Sequence, residues 1–329
     1  MNTLIEILSM KRPHRGENEA RVATEILSRL PYGLEVFRNA RQEAMAFVIC
    51  TDPESTTLFT AHLDTVHKYD GPNPVVYDPE MGWMSKADGE ALGADDGAGV
   101  WVLYKMIEAG VPGTYLFPLG EECGGVGAKW MAENAASWLE RFDRAVAFDR
   151  AGTGDVITHQ EWHGRCCSDD FAEALSAQLN ASMDLCGNEF YDGFRPDDTG
   201  VYTDTAEFTG VIPECTNLSV GYKNQHGGKE SLDVTFVKML AAAACKVDWD
   251  SLPAVRDPKE VDEGLDWYTG YSGYGGTSYQ SAFHADLTLD TLRGMDETEI
   301  YYMVQDETEL VAEFLTQLRD QITYDDTEA

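Results

Sequence analysis

Apolar residues recur along this chain with two different periods, and the switches between them mark its elements. Residues 16–30, GENEARVATEILSRL, carry Ala20, Ala23, Ile26, Leu27 and Leu30 at helical spacing. Extended runs follow at 34–38 (LEVFR), 44–50 (AMAFVIC) and 57–61 (TLFTA). A helix is predicted over 97–109, stopped by Gly110 and Pro112. Strands predicted at 114–119, 144–149, 155–159 and 215–221 then alternate with helices at 126–134, 170–179 and 232–247, the last one long and apolar. Such alternation predicts an α/β protein: a three-layer sandwich with a central mixed, mostly parallel sheet and helices on both faces.

The pattern changes after residue 250. The stretch 267–283 is rich in Gly, Ser and Tyr and reads as a linker or irregular loop, and 287–322 reads as short acidic helices. Residues 251–329 hold 18 acids against 4 bases. The expected organisation is a catalytic domain over 1–250 and an acidic C-terminal extension over 251–329, which packs on the body or on a partner and leaves oligomerisation open. The whole chain carries 58 acids and 24 bases, a formal net charge of -34. That surface repels nucleic acid and anionic membranes, so neither is an expected partner. No apolar run reaches the ~18 residues of a membrane span. The basic residues near the start follow the apolar run instead of preceding it, unlike a signal peptide. Seven cysteines without a CxxC read as reduced thiols, and the expected location is cytoplasmic.

Five stretches place acids and histidines at or just after predicted strand ends: FTAHLDTVHK (59–68), LGADDGAGV (92–100), PLGEECGGVGAK (118–129), AVAFDRAG (145–152) and NLSVGYKNQHGGKES (217–231). In an extended chain His62 and Asp64 point to one side, and a carboxylate so placed can orient the ring of a metal-ligating histidine. Asp95 and Asp96 stand among residues too small to shield them. Glu121 and Glu122 are adjacent, so their side chains diverge toward different roles. Asp149 ends an apolar run, where an unpaired carboxylate is costly. Singly, each stretch has an ordinary reading, such as a solvated turn or acids favouring a helix N-terminus. Together they fit a site, because open α/β sheets bind ligands at the carboxyl ends of strands. Two histidines and several carboxylates, with no cysteine, match the nitrogen and oxygen ligands of an open zinc site.

In this order the stretches resemble the co-catalytic di-zinc exopeptidases, a superfamily of leucyl-type aminopeptidases, peptidase T tripeptidases and related zinc carboxypeptidases. The matching segments are HLDTV, GADDGAG, GEECGGVGAK, FDRAG and YKNQHGGKES, and the resemblance covers about residues 1–250. It implies two Zn2+ per chain, with other divalent transition metals allowed. His62, Asp95 and Asp149 would hold one, and Asp95, Glu122 and His226 the other. It further implies Glu121 as general base, Asp64 as the residue that orients His62, and a cis peptide between Asp95 and Asp96. The implied activity is hydrolysis of short peptides, with a free amino terminus as the recognised end. Carboxypeptidase, dipeptidase and N-deacylase activities remain alternatives within the superfamily. A non-catalytic binding protein on the same fold is the alternative outside it, although none of the implied ligands is missing.

Spacing separates the branches of that superfamily. His62 and Asp95 are 33 positions apart, and Asp149 and His226 are 77 apart. Neither gap accommodates the inserted domains of the lid-bearing or shell-forming branches, so the chain looks most like the compact aminopeptidase branch. Arg150 reads as a salt-bridge partner on an acidic surface, or else as a contact for a substrate carboxylate. His67 reads as a surface histidine or an outer partner of the site, and His14, His159, His163 and His284 read as surface residues.

Overall fold

The computed structural model describes residues 1–86, 88–183 and 191–259. The linker expected at 267–283, the acidic helices expected at 287–322 and His284 lie outside these residues. Among the described residues, eight strands form the main sheet: β1 (Leu34–Arg38), β2 (Ala44–Cys50), β3 (Thr57–Thr60), β4 (Thr114–Pro118), β5 (Arg144–Arg150), β6 (Asp155–Ile157), β7 (Arg195–Asp197) and β8 (Glu214–Ser219). Their spatial order is β7-β6-β8-β5-β3-β4-β2-β1. Strands β8, β5, β3 and β4 are parallel neighbours, and β6 pairs parallel with β7. The β6–β8, β4–β2 and β2–β1 contacts are antiparallel. The sheet is therefore mixed, with a parallel centre.

Among the described residues, seven α-helical segments accompany it: α1 (Asn2–Leu8), α2 (Glu17–Arg21), α3 (Ala94–Glu108), α4 (Val126–Asn134), α5 (Ala136–Leu139), α6 (Asp169–Ser182) and α7 (Val234–Ala244). Alternation along the strands divides them between the two faces. Phe47, Ile49, Phe59, Tyr115, Phe117, Val146 and Phe148 enter a core shared with α1, α3, α6 and α7. Ala46, Val48, Leu58, Leu116 and Ala145 enter a second core with α4 and α5. The outcome is the three-layer sandwich.

Departures from the expected elements have local causes. The helix expected over 16–30 begins as α2 and continues as a wider π turn, Val22–Ile26, then a tighter turn, Leu27–Arg29. The helix expected from 232 starts at Val234, because Asp233 caps it by accepting the amides of Thr235 and Phe236, each at 3.0 Å. Ser231–Asp233 instead pairs with Trp83–Ser85 in a small antiparallel sheet completed by Val76–Asp78 and Tyr222–Lys223. Strands of two or three residues are too short to show a period. The 77 positions between Asp149 and His226 supply β6, β7, β8 and α6.

Contacts with the body continue past residue 250. Arg144 Nε donates to the Leu252 carbonyl at 2.9 Å, and the amides of Val255 and Arg256 donate to Glu214 Oε1 at 2.7 and 3.1 Å. Among the described residues, Cys50, Cys123, Cys166, Cys167, Cys215 and Cys245 are free thiols. No helix among them is long and apolar enough to cross a membrane.

Candidate metal centre

Most of the candidate residues sit beyond the carboxyl ends of the parallel central strands. His62 follows β3, Glu121 and Glu122 follow β4, and Asp149 is the penultimate residue of β5. His226 stands in the hairpin loop that follows β8, between Tyr222–Lys223 and Ser231–Asp233. Asp95 differs from the expectation of a strand end: it opens α3, in a first turn where Asp95 and Asp96 have non-helical backbone angles. The peptide between them is cis. Gly99 explains the small residues around the pair. A Cβ there would overlap the Phe148 carbonyl and press on the Asp96 carboxylate, so only glycine lets α3 lie this close to β5.

Two triads share Asp95. In the first, His62 Nε2 lies 3.1 Å from Asp95 Oδ1 and 3.5 Å from Asp149 Oδ1. In the second, His226 Nε2 lies 3.1 Å from Asp95 Oδ2 and 3.1 Å from Glu122 Oε2. Glu121 Oε2 stands 3.9 Å from His62 Nε2. His62 is buried, whereas the His226 side chain is 52% exposed and its backbone is left-handed at φ 64°.

Neighbours of the triads restrain them. Asp149 exchanges two hydrogen bonds with Asn217, whose Nδ2 donates to its carbonyl while Oδ1 accepts its amide. Thr203 and Tyr222 donate hydroxyls to the Asp149 carboxylate at 2.9 and 3.2 Å. Asp96 accepts the amides of His62 and Gly99. Asp64 Oδ1 lies 3.4 Å from His62 Nδ1, outside hydrogen-bond geometry. Its stronger contacts are with the amides of Gly120, Glu121 and Glu122, all of which it accepts at 3.0–3.1 Å.

Besides Asn217, Thr203 and Tyr222, three more residues escaped the reading of the sequence. Arg12 is wholly buried and donates to the carbonyls of Ile7, Met10, Leu63 and Gly93. Glu230 accepts the four amides of Leu92 to Asp95. Glu19 accepts the Gly120 amide and pairs with His14 at 3.0 Å. His14 is thus a packed partner of the Glu121 loop and not a surface residue. His67 bonds Thr65 and the Ala91 carbonyl, behind the same centre. Arg150 is engaged by Asp155 at 3.2 Å and Thr199 at 2.9 Å, the salt-bridge reading of its position.

Burial dominates the electrostatics. It pushes the carboxyls of Glu121, Asp149 and Glu122 above their usual range, and nearby carboxylates add to the effect against the pull of histidine. Burial also works against charge on His62, but Asp149, Asp64 and Asp95 outweigh it and lift the imidazole well above its ordinary value. Hydrogen bonds to Asp95 and Glu122 push His226 up to about 11. Crowded, buried acids of this kind call for a cation. Glu122 Oε1 is buried with no hydrogen-bond partner. In each triad the nitrogen and oxygen donor atoms lie within 4.8 Å of one another, with no thiol among them. That donor set fits a divalent transition metal.

No family model matches this sequence, and no curated protein does. Solved structures share its fold. Aminopeptidase PepT from Bacillus cereus is 16% identical with a TM-score of 0.57, over 74% of this chain and 96% of that one. A tripeptidase from Staphylococcus aureus is 17% identical with a TM-score of 0.58, over 74% of this chain and 95% of that one. The TET1 peptidase of Pyrococcus horikoshii, which can assemble into a tetrahedron or an octahedral shell, is 17% identical with a TM-score of 0.50, over 74% of this chain and all of that one. The fold is the α/β sandwich that these three structures share.

Proposed function

We propose that this protein is a zinc-dependent exopeptidase that removes residues from the free amino terminus of short peptides. The observation that carries the reading is the single carboxylate of Asp95 lying between two histidine-bearing triads, one oxygen toward each. His62, Asp95 and Asp149 would hold one zinc, and Asp95, Glu122 and His226 the second. Zinc in such sites supplies Lewis acidity toward a peptide carbonyl and lowers the pKa of water to about 7. Glu121 is the proton carrier: its carboxyl is held near the triads without belonging to either, and burial raises its proton affinity. Asp64 holds the Glu121–Glu122 backbone and keeps a negative charge behind the His62 ring. The peptidase fold of the structural neighbours supports the same reading.

The test is elemental analysis of unchelated protein together with a panel of free and N-acetylated peptides. Two zinc ions per chain and cleavage of the free peptides alone are expected. Cleavage of acetylated peptides redirects the proposal to a carboxypeptidase or N-deacylase. Absence of both transition metal and hydrolysis overturns it in favour of a binding protein. The extension 251–329 is included in the proposal as an oligomerisation segment; light scattering of the full chain against a chain ending after Lys259 tests that part.

A further inference from the structure

Glu230 is 3% exposed, yet it belongs to none of the triads. Its carboxylate is saturated by consecutive amides: Leu92 and Gly93 donate to Oε2 at 2.8 and 3.0 Å, Ala94 and Asp95 to Oε1 at 2.7 and 3.1 Å. A buried carboxylate persists where N–H groups satisfy it, and a run of amides turned to one side makes a nest for an anion. Here the nest is the segment that carries Asp95, and the anion comes from four positions beyond His226.

Glu230 also sits at the base of the hairpin that has His226 in its loop. Its amide donates to Gly227 at 3.0 Å, and the next residue, Ser231, pairs with both Lys223 and Ser85. Gly228 presses on Gly89 so closely that a Cβ would overlap its backbone. On the other side of the Asp95 segment, Arg12 ties the Gly93 carbonyl to that of Leu63, next to His62.

The first triad has a frame of its own. His62 is fixed through its amide by Asp96, and Asp149 by Asn217, Thr203 and Tyr222. The second triad joins three pieces of backbone: the start of α3, the turn at Glu122 that Asp64 holds, and the exposed loop of His226. Glu230 is the side chain that bonds the His226 hairpin to the start of α3. We infer that Glu230 is a positioning residue that sets the spacing between Asp95 and His226, and so chiefly the affinity of the second metal; the first shares Asp95 but keeps His62 and Asp149 in their own frame, and is affected less. This rests on the two-metal reading above.

The experiment is a calorimetric zinc titration of the metal-free full chain, wild type against Glu230→Gln. The amide is isosteric but offers one acceptor oxygen, and it turns an NH2 group toward two backbone donors. Wild type is expected to take up two ions in separable steps. In Glu230→Gln the first affinity should stay within about threefold, and the second should fall by about 10- to 100-fold. Equal weakening of both steps, or of neither, overturns the inference. Amide hydrogen exchange of residues 92–95 in the metal-free chain gives a readout independent of zinc: it should accelerate at least about tenfold in the variant. Unchanged exchange overturns the clamp itself. A wild type that binds fewer than two ions counts against the two-metal reading, and the exchange result still decides the clamp. Should the amide variant not fold, Glu230→Asp keeps the charge with a shorter reach and supports the same measurements.

Discussion

Asp64 Oδ1 accepts the backbone amide of Glu121 at 3.0 Å, and the same oxygen lies 3.4 Å from Nδ1 of His62. One buried carboxylate therefore links the loop of the proposed base to the ring of a proposed ligand. Asp64→Asn keeps the shape but replaces one acceptor oxygen with an NH2 that faces amide donors. A buried unsatisfied donor costs about 1–3 kcal/mol. Urea denaturation of the variant should show a loss of that size, with lower kcat, and a variant as stable as wild type would show that the three amides do not depend on Asp64.

Glu121 lies outside both triads, 3.9 Å from His62 Nε2. Glu121→Gln should therefore keep its metal content and lose turnover. General-base catalysis is worth about a hundred- to ten-thousand-fold. Elemental analysis paired with kcat on a free tripeptide checks this, and full activity in the variant would remove Glu121 from the mechanism.

Gly99 lets α3 cross β5 at the Phe148 carbonyl. Gly99→Ala forces the helix away and carries Asp95 and Asp96 with it. Overpacking of this kind costs about 1–3 kcal/mol. Thermal melting of the metal-free chain should show the loss, and zinc affinity should fall with it; an unchanged melting temperature would contradict the close approach.

The metal-free centre should be sensitive to pH. The folded-state pKa of His226 is raised to about 11 from an ordinary 6.5, through Asp95 and Glu122. Its ion pairs therefore contribute fully below about pH 6.5, and the contribution is lost as pH rises toward 11. The metal-free chain should become less stable across that window, and His226→Ala should flatten the dependence. Near neutrality His226 carries a proton that a metal must displace, so zinc uptake should release protons and tighten with rising pH. Calorimetry in buffers of different ionisation enthalpy measures the release; uptake without it would show that metal does not displace a proton from His226.

Most of the fold was legible because its signals are local. The strand expected at 44–50 and the helix expected at 126–134 appear with those bounds, and the strand expected at 144–149 runs one residue further, to Arg150. Asp233 hides the start of α7, because Leu232 and Val234 on either side of the capping aspartate read equally as strand or helix. The six acids and histidines that meet in the triads and beside them were legible as short motifs with histidine, paired acids and glycine. Their frame was not. Glu230 acts on amides 135 to 138 positions away, Asn217 on Asp149 68 positions away, and Arg12 on Gly93 81 positions away.

By itself the sequence determined most of the strands and helices, and which short motifs bring together histidines and acids able to ligate a metal, because periodicity and residue type are properties of neighbours. Only the tertiary structure decided that Asp95 stands between His62 and His226, that Asp64 holds the Glu121 loop, and that Glu230 clamps the Asp95 segment. Those relations run through backbone amides and carbonyls, which every residue possesses alike. They become selective only when the parallel strands β8, β5, β3 and β4 bring their ends together.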